Sequence, residues 1–195
     1  MTAPREFFSD TLDTPIGELI YACDSEGVSE SQGALRMIDW SDHNPRGQRL
    51  LDLHYGKGGY SLTMRRDPFG LTTRLAAYFA GEIHAIDGIP TATAGTAFQR
   101  DVWCALRAIP AAQTISYGRL AERIGRPRAV RAVGLANGSN PIGVVVPCQR
   151  VIGANGSLTG YGGGLHRKEW LLAHERAHMR DDASAPQTEL AFSVE

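Results

Sequence analysis

Residues 115–138 read Ile-Ser-Tyr-Gly-Arg-Leu-Ala-Glu-Arg-Ile-Gly-Arg-Pro-Arg-Ala-Val-Arg-Ala-Val-Gly-Leu-Ala-Asn-Gly, and the fold turns on this stretch. Ser116 can cap a short helix that runs to Ile124, where Gly125 makes a turn. Pro127 suits the first turn of a second helix ending near Asn137-Gly138. Two short helices joined by a glycine turn form a helix-turn-helix. The second helix carries small residues, Ala129, Ala132, Gly134 and Ala136, with Arg128 and Arg131 three residues apart. Small side chains let a helix lie close against another surface. A tightly packed internal helix with two solvated arginines fits the same letters, and helix pairs of this kind also occur in proteins that touch no nucleic acid.

Outward from this pair, Thr96 is an N-cap, and Phe98, Val102, Leu106 and Ile109 form the apolar stripe of a helix that Pro110 stops. Cys104 lies in that helix and reads as packing. Beyond Asn140-Pro141, the run Val144-Val145-Val146 predicts a short buried strand that ends at Pro147 and Cys148. Residues 153–164 are a glycine-rich loop containing Tyr161, and Leu165 to Ala177 is a helix. Toward the N-terminus, 88–96 is a Thr/Ala/Gly-rich boundary. Before it, Leu12 to Cys23 reads as a hairpin punctuated by Pro15 and Gly17, and Ala34 to Trp40 as a strand. Arg46 to Tyr55 and Leu71 to Ala80 read as helices. The expected fold is α+β: a small N-terminal α/β-type domain over 1–90, then a mostly helical domain over 91–178 containing the helix-turn-helix. Residues 179–195, acidic and Ala/Ser/Pro-containing, read as a disordered tail.

A formal net charge of −1 hides an uneven distribution. Residues 1–95 carry 8 basic and 13 acidic side chains, whereas 96–178 carry 11 basic and 4 acidic, a net of +7. Nearly all of the latter charge is arginine, which forks onto phosphates, so this segment suits nucleic acid as well as it suits an ordinary solvated surface. No apolar run approaches the roughly 20 residues of a membrane span, and the first residues lack the pattern of a signal peptide. The expectation is a cytoplasmic protein without a membrane partner. Three widely spaced cysteines, Cys23, Cys104 and Cys148, argue against a disulfide framework and against a paired-cysteine zinc site. His43, His54 and His84 are isolated, so no metal and no cofactor are expected.

A cysteine at the end of a stiff strand, fixed by Pro147, is mounted as a nucleophile should be. The flanking valines by themselves raise its pKa, so activation has to come from positive charge or hydrogen bonds. Arg150 is near in sequence but points to the opposite face of an extended chain.

Residues 96–176 resemble the C-terminal domain of the O6-alkylguanine-DNA alkyltransferases. The matching segments, in order, are Phe98-Gln-Arg-Asp-Val-Trp, Ile115-Ser-Tyr-Gly-Arg-Leu-Ala, Arg131-Ala-Val-Gly, Asn137-Gly-Ser-Asn-Pro, Val146-Pro-Cys-Gln-Arg-Val-Ile-Gly, Leu158-Thr-Gly-Tyr-Gly-Gly-Gly and Arg167-Lys-Glu-Trp-Leu-Leu. The first half is similar more loosely, through Thr14-Pro-Ile-Gly-Glu-Leu and Leu75-Ala-Ala-Tyr-Phe-Ala-Gly, and Asp87–Thr91 looks like the bacterial constitutive type.

The resemblance implies repair of double-stranded DNA containing O6-alkylguanine, or O4-alkylthymine, by a monomer that passes the alkyl group irreversibly to Cys148. It implies minor-groove binding through Arg128, Ala129, Ala132 and Gly134, with Arg131 filling the stack when the base flips out. Tyr117 would crowd the rotating phosphate and donate to the base, and Asn140 would order the turn before the cysteine. Tyr161, Gly162, Val146 and Pro147 would line the base pocket. The chain departs from the family at one position, where a histidine that takes the thiol proton is replaced by Gln149. The glutamate that orients that side chain would be Glu169. Loss of a positioned base costs on the order of 10²–10⁴-fold, so slowed transfer is expected. His166 or His174 could substitute for the missing base. Two other readings are an alkyltransferase-like binder that recognises alkylguanine without reacting, which normally lacks the cysteine, and a transcriptional regulator, for which the helix offers few long polar side chains.

Overall fold

The computed structural model describes residues 4–25, 32–43 and 45–184. Alternating apolar and polar residues build a first hairpin, β1 (Arg5–Thr14) and β2 (Gly17–Asp24), in antiparallel register with Leu12 opposite Leu19. The hairpin thus starts well before the expected Leu12. β3 (Ala34–Trp40) pairs antiparallel with β2 across a bulge at Ala22/Cys23 and is buried along its whole length. Its two faces serve different cores. Met37 packs with Phe7, Ala22 and Leu51 beneath α1 (Arg46–Tyr55), whereas Leu35, Ile38 and Trp40 face the main core. β4 (Tyr60–Met64) adds in parallel to the free edge of β1, giving the sheet order β3-β2-β1-β4 among the described residues. The elements expected from sequence omit β4, although Tyr60, Leu62 and Met64 alternate with Ser61 and Thr63 as a strand's residues do. α2 (Leu71–Phe79) closes this half with Leu71, Leu75 and Tyr78 buried.

The stretch 88–96 is no free linker. Leu35 donates to the Pro90 carbonyl, and Ala92 donates back to Leu35. Ile38 likewise takes the Pro141 carbonyl and bridges Ile142. One apolar cluster runs from Leu19 and Leu75 through Val102 and Val133 to Cys148 and Leu171, so both halves share a core.

In the second half, α3 (Ala97–Arg107) begins with a capping box in which Thr96 and Gln99 exchange hydrogen bonds. Val102, Leu106 and Ile109 are buried, while Cys104 is exposed and does not pack as expected, since it lies off that stripe. β5 (Ile115–Ser116) leads into α4 (Tyr117–Arg123), which Ser116 caps. Gly125, at φ 68°, makes the turn to α5 (Val130–Gly138). That helix starts at Val130, three residues after Pro127, because 126–129 make a turn of their own. Trp103 Nε1 donates to the Ala136 carbonyl at 2.9 Å and locks α5 to α3. Val133, Ala136 and Asn137 face inward, and Arg131, Ala132 and Leu135 face out.

The expected strand over 144–146 is absent. Ile142 to Val146 form a tight turn with Val144 at φ 68°, a strained value for a β-branched residue. A short buried apolar run does not distinguish a strand from a turn wrapped in core. After the turn, β6 (Val151–Ile152) pairs in parallel with β5. α6 (Leu165–Ser184) then runs past the expected end at Ala177, so 179–184 are helical instead of tail. The rest of the expected tail, 185–195, lies outside the described residues.

Candidate active site

Cys148 opens a 3-10 turn, Cys148–Arg150, at the end of the strained loop. Asn140 holds that loop from inside: its Nδ2 donates to the Val146 carbonyl at 2.7 Å, and its Oδ1 accepts from Ile142 N at 3.0 Å. A side chain that is 2% exposed and spends both amide atoms on one loop fixes the cysteine's backbone. The β5–β6 pairing sets the second wall. Ile115 opposite Val151 puts Tyr117, at the start of α4, beside the chain leaving Cys148. Tyr117 Oη donates to the Thr159 carbonyl at 3.3 Å, tying α4 to the glycine loop.

Cys148, Asn140, Tyr161 and Gly162 line one cavity of about 20 Å³, room for roughly one water. Two residues expected there face elsewhere. Val146 is buried and offers its carbonyl to Asn140, and Pro147 lines a separate cleft of about 450 Å³ with Ile109 and Arg150. The tight turn over 142–146 sets these directions, where an extended strand was expected. The chamber's remaining wall comes from the N-terminal half. Arg46 reaches in from α1, donating to Asp39 at 2.8 Å and to the Gly138 and Asn140 carbonyls at 3.1 Å each. His43 Nδ1 donates to the Gly162 carbonyl at 2.6 Å. Arg167, 4% exposed, spans Ile16 O, Asp42 and Gly163 O and stacks its guanidinium on Trp40.

The partner of Gln149 is Glu175, not Glu169. Gln149 is fully buried, and its Nε2 donates to Glu175 Oε1 at 3.0 Å. Glu169 is exposed on α6. The helical period explains the correction: Lys168, Leu171, Leu172 and Glu175 form the buried stripe, which leaves position 169 facing out. Spacing alone carried that signal, and the apolar content of the helix hid it, since two members of the stripe are charged. Glu175 also accepts from Arg150 Nε and Nη2, from Tyr78 Oη and from Ala112 N. The 3-10 turn swings Arg150 back onto this carboxylate; the chain is not extended there. Of the histidines considered as substitutes, His174 is engaged with the Tyr78 carbonyl and His166 is exposed.

Burial pushes the Cys148 thiol up, against the Asn140 hydrogen bond and the charges of Arg46 and Lys168, which pull it down. Burial also raises Tyr117 and Tyr161 and lowers Lys168. Sequence reasoning missed Lys168, whose Nζ donates to the Val151 and Thr159 carbonyls at 2.6 and 2.8 Å. Outside the chamber, Arg131 and Ala132 on α5 are exposed, as is Arg128 in the turn before it, while Ala129 and Gly134 are half-buried. Among the described residues no group of three or more His, Cys, Asp or Glu side chains could hold a metal, and no helix is long and apolar enough to cross a membrane.

Residues 97–177 match the family described as "6-O-methylguanine DNA methyltransferase, DNA binding domain". A methylated-DNA–protein-cysteine methyltransferase of Shigella flexneri is 53% identical over 166 residues, 85% of this chain and 94% of the relative. The chain belongs to the methylated-DNA–protein-cysteine methyltransferase family. A second family member, from Mycobacterium bovis, is 44% identical over 172 residues, 88% of this chain and 94% of the relative. The fold matches the crystal structure of Mycobacterium tuberculosis O6-methylguanine methyltransferase with a TM-score of 0.70 at 40% identity, covering 89% of this chain and 93% of that one. The Mycobacterium tuberculosis protein in complex with DNA superposes equally well, covering 94% of its own chain. The chain is accordingly a methyltransferase that repairs DNA by alkyl transfer, and DNA is its partner.

Proposed function

We propose that the chain removes the alkyl group from O6-alkylguanine, and from O4-alkylthymine, in duplex DNA by transferring it to Cys148 in a single turnover. The observation that carries this reading is a buried cysteine on a loop stapled by Asn140, facing a chamber lined by Tyr161 and Gly162. The α4–α5 pair lies in the minor groove, with Arg128, Ala129, Ala132 and Gly134 against the backbone and Arg131 filling the gap left by the flipped base. A purine does not fit in about 20 Å³, so the glycine loop shifts to admit it. Cys148 sulfur attacks the alkyl carbon, the carbon–O6 bond breaks, and its electron pair stays on the purine, which Tyr117 protonates. The thioether is not reversed, so each molecule reacts once. Gln149 cannot accept the thiol proton, which slows the step. The protein acts as a monomer in the cytoplasm.

The test is incubation with duplex DNA carrying one O6-methylguanine, followed by peptide mass analysis. A methyl group on Cys148 supports the proposal. DNA that stays bound while Cys148 remains unmodified overturns it in favour of a non-reacting damage binder.

A further inference from the structure

The family reading leaves the thiol proton without a destination, because the amide at position 149 is not a base. The titratable and charged groups around Cys148 are Arg46 on α1, Tyr117 on α4, Tyr161 in the glycine loop and Lys168 on α6. Arg46 is a permanent cation held by Asp39, and the two phenols are weak bases. That leaves Lys168.

Its environment suits a neutral amine that becomes charged during the reaction. The side chain is fully buried, and among the described residues no carboxylate pairs with it. Its nitrogen has two protein acceptors, the carbonyls of Val151 and Thr159. A neutral amine has two N–H groups, which these carbonyls satisfy, and one lone pair left over. An ammonium has three N–H groups, one more than these two carbonyls satisfy. Val151 lies three residues past Cys148, and Thr159 also accepts from Tyr117, so the amine is mounted on the two backbone segments that frame the thiol. Burial moves the two groups toward each other, raising the thiol and lowering the amine.

We infer that Lys168 accepts the Cys148 proton in this chain, in the role that a histidine at position 149 would otherwise fill. This rests on the alkyl-transfer reading above. The S–H bond breaks, its proton binds the Nζ lone pair, and the thiolate forms the new bond to the alkyl carbon. The carbon–O6 pair remains on the purine. Tyr117 gives that purine its proton, and its phenolate oxygen regains one from the Lys168 ammonium, which is held on the same Thr159 carbonyl. The sum is thiol plus alkylguanine giving thioether plus guanine, with no proton gained or lost.

A double-mutant cycle tests this by single-turnover methyl transfer from O6-methylguanine duplex at pH 7. Lys168→Met should slow transfer roughly tenfold or more in the natural chain and less than about threefold when Gln149→His supplies a second base. Equal losses in both backgrounds would mean that Lys168 only braces the two carbonyls, and the inference fails. If the methionine variant does not fold, Lys168→Arg decides: it keeps a cation but offers no lone pair, so transfer should fall, and full activity would overturn the inference. If the unmutated chain never methylates Cys148, the functional proposal fails instead. Labelling of Cys148 by iodoacetamide, read by peptide mass, then still tests the lysine without DNA: Lys168→Met should slow it at pH 7, and an unchanged rate refutes the assignment.

Discussion

Replacing Glu175 by glutamine should destabilise the protein by about 3 kcal/mol, while the same change at Glu169 should leave its melting unchanged. Glu175 is fully buried and accepts from Gln149, from Tyr78, from Ala112 N and twice from Arg150. Glutamine keeps the shape but removes the charge. It also turns one acceptor into a donor, so Arg150, 8% exposed, is left as a buried cation with a weakened partner. Breaking one side of such a pair costs about 3–5 kcal/mol. The lower end applies here because Arg150 keeps the Ile109 carbonyl at 2.6 Å. For a chain of this length each kcal/mol moves Tm by about 2–4 °C, so a drop of about 6–12 °C is expected. Urea denaturation should show a lower midpoint at unchanged slope. Adding Arg150→Met should recover part of the loss, since it removes the buried cation left without its charged partner. A Glu175→Gln protein that melts with the parent would refute the argument, as would a double variant less stable than the single one.

Other consequences can be measured directly. Gln149→His should speed methyl transfer by about 10²-fold, and an unchanged single-turnover rate would show that proton removal does not limit the reaction. Burial pushes the Cys23 thiol up to about 12, so the folded chain keeps a proton that the unfolded chain releases near the ordinary thiol value of about 8.5. Stability from this group is therefore complete below pH ~8.5 and is lost as pH rises toward 12, by at most about 1.4 kcal/mol per pH unit; Cys23→Ala should flatten the alkaline limb of the stability curve. Arg128→Ala should weaken DNA binding evenly across sequences and reduce the slope of log affinity against log salt by about 1, and an unaltered slope would remove Arg128 from the phosphate contacts.

The parts of the fold legible in sequence were those whose apolar residues recur with a period. α1 and α2 end within a residue of their expected bounds, and α3 stops at Arg107, two residues before the Ile109 expected in its stripe, because the apolar residues recur on one face of each and Gly81 and Pro110 follow. The turn at Val144 was not legible. Three valines in a row read as a strand whether or not the backbone is extended, whereas β4, absent from the expected elements, does carry a strand's alternation in Tyr60, Leu62 and Met64. At the site, Cys148, Asn140 and Tyr161 were found through an ordered set of motifs, and the chamber they share follows from long-range packing. The polar stripe of α6 was hidden for a different reason: Lys168 and Glu175 look like solvated residues until the carbonyls and the arginine that hold them are in place.

The N-terminal half shows no chemical constellation in sequence, yet the chamber depends on it. Without α1 and β3, Cys148 would lose Arg46, whose charge draws its pKa down. The glycine loop would lose His43 on Gly162 and Arg167's bridge from Gly163 to Ile16 and Asp42. Each contact joins a side chain from one half to backbone or charge of the other, and none has a sequence signature, because neither partner is near the other in the chain. The shared core gives the reason these long-range bonds hold: Leu19, Ile38 and Trp40 pack into the same apolar cluster as Cys148 and Leu171, so the two walls cannot separate without exposing it. Cys148 is therefore set by both halves at once. Its backbone is fixed by Asn140 from within the second half, while Lys168 from that half and Arg46 from the first act on its proton.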